Sequence, residues 1–273
     1  MRCLERIEPA GAFRELAPGV LNRFLVHPFD QRRSSPFILL VEDLIEPSAD
    51  AFGLHPHRGF ETVMIQLAGR MAIEDSLGHN DVLEPGGVEW TRAGRGILHG
   101  GQPLAGEKVH ALQLWLNLPA RLKMSPPRTV CQPVSEALRV EKDRSRLTLY
   151  AGRLGHLAAP YRTLWPLMLM RAELAPGGTA ELPLVAGERA FAQILSGTVK
   201  IEGVIVPAGH SVWFGLADDD ASVTVASDGN ADILFYASPP IEEPVAIGGP
   251  FVMNSDTELA EAEADLAAGR FGR

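Results

Sequence analysis

The segment "LHPHRGFE", residues 54–61, carries His55 and His57 on either side of Pro56, with Glu61 four residues further on. In an extended chain residues i and i+2 point to the same face. The two imidazoles therefore project together and can converge on one metal ion at about 2.0–2.2 Å. Pro56 has no N–H to donate and suits a strand edge or rim. Gly59 shares the parity and leaves room beside an ion. Glu61 shares it too, but on a straight strand it lies roughly 13 Å beyond His57 at ~3.3 Å per residue. Only a bent strand brings its carboxylate to the ion. A third histidine, His99, follows a glycine-rich turn in "PGGVEWTRAGRGILHGG" (85–101). The H-x-H pattern alone is short, and a lone histidine is more often a hydrogen-bonded core or surface residue. The glycine-flanked His99 adds weight to metal binding.

Other polar residues have plainer expectations. His79, in the turn "DSLGHND", faces solvent, and His110, opening "HALQLWLNL", takes a core hydrogen bond. Arg58 and Arg95 either draw in an anion or, more commonly, brace loops. Val63, Ile65 and Trp90 line a barrel as an apolar slot, or simply pack as core.

These side chains need a scaffold, and the chain reads as many short strands. Gly (27) and Pro (21) are spread along it. Between them lie runs such as "PFILLVED", "ETVMIQLAG", "HALQLWLNL", "AFAQILSGTVKIEG" and "ADILFYAS", which predict an all-β protein. "IQLAGRMAIE" (65–74) resembles "QILSGTVKIE" (193–202), with Gly69 matching Gly197, and each is followed by a Pro–Gly-type turn and a strand ending in tryptophan. The repeat predicts two tandem β-barrels. At the same offset His55 falls on Pro183, His57 on Val185 and Glu61 on Arg189, so the second copy is a scaffold without the polar groups. The proline-containing stretch 119–136 reads as a linker, giving an N-terminal domain over 1–133 and a C-terminal one over 134–273. One short helix closes the chain: Ser255 and Glu258 form a capping-box pattern, Leu259, Ala262 and Leu266 recur at helical spacing, and Gly269 ends it.

Bulk properties narrow the function. A net charge of −9 and no run of Lys or Arg argue against direct nucleic-acid binding. Two cysteines, Cys3 and Cys131, make no disulfide framework and fit a reducing compartment. With no signal segment and no apolar run of membrane length, the expectation is a cytoplasmic protein without membrane contact.

The run "HPHRGFETV…DSLGHNDVLEPGGVEWTRAGRGILHG…HALQLWLNLP" strongly resembles the pirin family of the cupin superfamily, and "EPVAIGGPFVMNS" (243–255) is similar to a second pirin signature. The resemblance implies a bicupin: two double-stranded β-barrels, with one divalent metal in the first. Iron(II) is the first expectation, with manganese, nickel, copper or zinc as alternatives. It implies His55, His57 and His99 as metal ligands, and a glutamate two residues after the last. Here that position is Gly101. The fourth place then falls to Glu61 or water, with the Gln102 amide a poorer option. Some pirins resemble flavonol 2,3-dioxygenases, which implies quercetin-type 2,3-dioxygenase activity on a flat aromatic substrate, with Glu61 as base if it is not a ligand. Others are similar to non-enzymatic, metal-dependent regulators, which implies a protein partner instead.

Overall fold

Apolar side chains alternate along the runs picked out above, and these runs form the ladders of two β units. The computed structural model describes residues 4–28, 31–47 and 52–272. Contacts divide the chain into Ala12–Ser135 with Ile241–Arg273, and Met1–Gly11 with Glu136–Pro240.

The N-terminal strand β1 (Leu4–Pro9) belongs to the second unit. The first is built from β2 (Arg14–Ala17), β3 (Val20–Val26), β4 (Phe37–Ile45), β5 (Phe52–His57), β6 (Phe60–Ala68), β7 (Met71–Asp75), β8 (Asn80–Leu83), β9 (Val88–Arg92), β10 (Ile97–Pro103), β11 (Val109–Asn117) and β12 (Arg128–Gln132). An antiparallel sheet runs β12-β9-β6-β11-β4-β3-β2 and a smaller one β5-β10-β7-β8. The two inner faces enclose a core that includes Met64, Met71, Ile73 and Ala111. The second unit repeats this order strand for strand. Its large sheet runs β1, His210–Phe214, Arg189–Ser196, Ala231–Ser238, Met168–Leu174, Ser145–Ala151 and Leu138–Lys142. Its small sheet runs Gly178–Leu184, Ala221–Ser227, Thr198–Ile201 and Val204–Pro207. The molecule is the expected duplicated all-β fold.

The glycines that mark the repeat do the same work in both copies. Gly69 and Gly197 have φ of +70° and +76°, and a Cβ on either would stand 2.1 Å from a carbonyl oxygen, of Lys108 or Asn230. Only glycine fits a left-handed position pressed that closely against backbone.

The constant offset fails by one residue around the metal segment. Ile73 pairs with Gly101 as Ile201 pairs with Val225, and His99 pairs with His55 as Val223 pairs with Leu182. The inward positions of the second copy are therefore Leu182, Leu184, Val223 and Val225, all in its core, rather than Pro183 and Val185. With a side-chain period of two, one extra residue in the turn before Arg189 swaps the faces. All four are apolar.

Stretch 119–136 is not a loose linker. Lys123 is fully buried, Arg128–Gln132 pairs with β9 at the sheet edge, and the first unit runs on to Ser135. The ends of the chain are exchanged relative to a simple division at 133/134. β1 takes in the second unit the edge place that β12 takes in the first, and residues 241–273 pack on the first unit. The C-terminal helix, Asp256–Ala267, starts where expected: Ser255 Oγ accepts from Glu258 N, and Glu258 reaches back to Asn254 N at 2.8 Å. Among the described residues no helix is long and apolar enough to cross a membrane.

Candidate metal centre

His55 and His57 on β5 face His99 on β10 across the small sheet, where His99 pairs directly with His55. One ring nitrogen from each lies within 4.8 Å of the others, so small rotations bring all three to the ~2.1 Å of a metal–nitrogen bond. The tautomers fit an ion. His55 Nδ1 donates to Gly53 O at 2.9 Å, His57 Nδ1 to Pro250 O at 3.1 Å, and His99 Nδ1 to Glu89 Oε1 at 3.2 Å. With the proton on Nδ1, each neutral ring presents its Nε2 lone pair. The Nε2 atoms of His57 and His99 are buried with no hydrogen-bond partner, an arrangement that proteins avoid unless something else satisfies it. Burial, with the neighbouring histidines adding to it, holds His57 well below the ordinary imidazole pKa and lowers His55 as well, which keeps both rings neutral for ligation.

The chain's last segment orients one of these rings. Phe251 bridges to Arg58, and Val252 N donates to Arg58 O, which brings Pro250 O onto His57. Lys123 Nζ ties the layers together, donating to Gly59 O, Val252 O and Asn117 Oδ1 at 2.7–2.9 Å. Gly59, expected to leave room beside an ion, leaves room for this segment instead. Its φ is +89°, and a Cβ would stand 2.1 Å from Val252 O. Arg58 braces rather than attracts: it donates to Arg95 O, pairs with Asp265 at 2.9 Å and lies over the Phe271 ring.

Glu61 is not gathered with the histidines. On β6, Met64 faces the inner core, so Glu61, Val63 and Ile65 share the other face. Glu61 pairs across to Arg92, whose Nε lies 3.6 Å from its carboxylate. Trp90 is on that outer face as well, its Nε1 donating to Gln132. None of these four lines a slot beside the histidines. The inner wall is made by the alternate residues. Phe60 and Trp115 each lie 5.0 Å from the His57 ring, centroid to centroid. Leu39, Val41, Gln113 and Trp115 are only half-buried, whereas their outward neighbours Leu40, Leu114 and Leu116 are fully buried. That alternation marks a solvent-accessible chamber on the histidine side.

At Gly101 no side chain points inward. A Cβ there would meet Met71 Cε at 2.7 Å and Ile73 Cδ1 at 2.9 Å. Gln102 has the opposite parity from His99 and faces away. Sequence reading missed Glu89, Phe60, Trp115 and the role of Pro250. The hint for Glu89 was its alternation with Trp90 in "VEWTR", which puts glutamate and tryptophan on opposite faces. His110 and His79 each meet a carboxylate at 2.8 Å, Glu42 and Asp75 respectively, so neither is free for a site.

Comparison with known proteins agrees with this architecture. The family model "Pirin" matches residues 18–116 and "Pirin C-terminal cupin domain" matches 169–272. Pirin-1 of Arabidopsis thaliana is 34% identical over 93% of this chain and 89% of its own length. The crystal structure of quercetin 2,3-dioxygenase from Acinetobacter baumannii superposes with a TM-score of 0.89 at 26% identity, covering 100% of this chain and 99% of that one. A bacterial pirin from Escherichia coli, solved in complex with nickel(II), shares the fold with a TM-score of 0.68 at 21% identity, over 86% of this chain and 100% of its own. Two cupin units in one chain, a histidine triad in the first, and a C-terminal segment that returns to that triad come together with these matches: the chain belongs to the pirin family.

Proposed function

We propose that this protein binds one divalent metal ion through His55, His57 and His99 and uses it in oxidative cleavage of a flat, quercetin-type polyphenol. The observation that carries the reading is the set of three imidazoles with Nδ1 satisfied, two of whose Nε2 atoms are buried without a partner. Similarity to a quercetin 2,3-dioxygenase supports the substrate class. Iron(II) suits a centre of imidazoles with open positions, and nickel is the ion held by the E. coli relative. When bound, the ion supplies Lewis acidity toward a deprotonated ring hydroxyl.

The chain's own contribution is the chamber. Trp115 and Phe60 offer ring faces against which a planar substrate stacks. Leu39 and Val41 give it an apolar wall, and Gln113, whose Oε1 accepts from Trp115 Nε1 at 2.9 Å, holds that indole in place. Pro250 and Glu89 keep the ligand lone pairs aimed inward. Glu61 has no part as a base, because it lies on the other face of β6.

A second reading, a metal-dependent regulatory module without catalysis, draws support from Gly101, which leaves the group of ligands without a carboxylate among the described residues. One experiment separates the two. Purified protein is assayed for bound metal and for oxygen uptake with quercetin. Stoichiometric metal with substrate-dependent uptake, both lost in His99→Ala, is the result expected for the enzyme. Stoichiometric metal without uptake, for any of the five candidate ions, leaves the regulatory reading.

A further inference from the structure

We infer that Glu89 is a positioning residue that supplies, through His99, the negative charge the metal's own ligands lack. The inference rests on the metal reading above. Three neutral imidazoles leave a divalent ion uncompensated in a buried site, which is costly in a low-dielectric interior. Gly101 offers no carboxylate. Of the three ring partners two are backbone carbonyls, and only the partner of His99 is charged.

The geometry is specific. Glu89 is 2% exposed on the inner face of β9, in register with Met64 and Cys131. Its Oε1 accepts from His99 Nδ1 at 3.2 Å and from Thr91 Oγ1 at 2.9 Å. Thr91 is itself buried, so the carboxylate is fixed against the histidine. A carboxylate on the far side of a ligating imidazole locks the tautomer, makes Nε2 a stronger donor to the ion and spreads negative charge toward it. Glu89 thus does from behind His99 what a carboxylate at position 101 would do by direct ligation.

The test measures nickel(II) and cobalt(II) affinity of the full chain by competition with a chromophoric chelator. Proteins compared are the wild type, Glu89→Gln, and Glu89→Gln combined with Gly101→Glu. Glutamine keeps the shape and an acceptor for His99 Nδ1 and removes only the charge. Glu89→Gln is expected to bind 10–100-fold more weakly and to shift the visible absorption of bound cobalt(II). After chelator treatment it should melt no lower than the wild type, since it no longer buries a charge. Gly101→Glu returns a carboxylate to the ion side, where its Cβ meets the side-chain ends of Met71 and Ile73, and is expected to recover at least tenfold. Glu89→Gln binding within twofold of wild type overturns the inference and leaves the metal site standing. A lowered metal-free melting temperature with no recovery by Gly101→Glu reduces Glu89 to packing and also overturns it. A wild type that binds neither ion removes the metal site itself, and the inference with it.

Discussion

Individual side chains in the first unit show how burial sets chemistry. His55, His57 and His99 each direct Nδ1 at a carbonyl or carboxylate oxygen, and burial lowers the pKa of His57 and of His55. Asp43 shows the opposite sign. It faces inward beside Asn22, whose Nδ2 lies 2.6 Å from its Oδ1, and burial pushes its carboxyl up to about 6 from 3.8. The folded state therefore holds this proton more tightly than the unfolded state does. The group's contribution to stability is full below about pH 4, declines as pH rises toward 6, and stays low above that. Asp43→Asn abolishes the titration and keeps an acceptor for Asn22. It is expected to stabilise the protein by about 3 kcal/mol at pH 7.5 and hardly at all at pH 4. Urea unfolding at both pH values checks this, and an equal gain at both would count against the burial account.

At the level of elements, the C-terminal segment is the part that ties fold to site. Its Pro250–Val252 stretch lies on Arg58–Gly59, and Lys123 clamps the two. Gly59→Ala forces a left-handed backbone position onto a side chain that collides with Val252 O. Its expected cost is on the order of 3 kcal/mol. Because His57 loses its fixed partner when Val252 is displaced, metal affinity should fall in the same variant. Lys123→Met strands three acceptors in the interior and is expected to cost roughly 3–5 kcal/mol. Chemical denaturation gives both stabilities, and chelator competition gives the affinities. A Gly59→Ala protein with unchanged stability would show that the segment does not press on Gly59 in solution.

For the whole molecule, the proposed metal site would give the two copies of the duplication different roles. The second unit keeps the strand order, the repeat glycine and the turn chemistry, but puts Leu182, Leu184, Val223 and Val225 where the first has polar positions and Gly101. Metal should therefore stabilise one unit only, by about 4 kcal/mol at a thousandfold excess over Kd. Hydrogen exchange with and without nickel(II) is the measurement. Added protection is expected over 12–135 and again over 241–273, with 136–240 unchanged. Protection confined to 12–135 would contradict the role given to the C-terminal segment.

How much of this was legible beforehand follows from the range of each interaction. Alternation, turn glycines and the capping residues Ser255 and Glu258 act over a few residues, so the all-β class, the duplication and the closing helix could be read from the chain. The H-x-H pair could be read too, because two residues on one strand keep their parity whatever the strand pairs with. His99 was a candidate from its glycine-rich setting and a ligand by resemblance, and its ladder with His55 brings the two side by side. Glu89, Pro250 and the true faces of Glu61 and Trp90 were out of reach. Each depends on which strand lies beside which and in what register, and a slip of one residue reverses the answer. The exchanged ends of the chain have the same cause: an edge strand or a returning segment has no local signal naming its partner. Local pattern determined what the strands are and which residues travel together; only tertiary pairing decided what stands behind each histidine, and therefore what the site can hold.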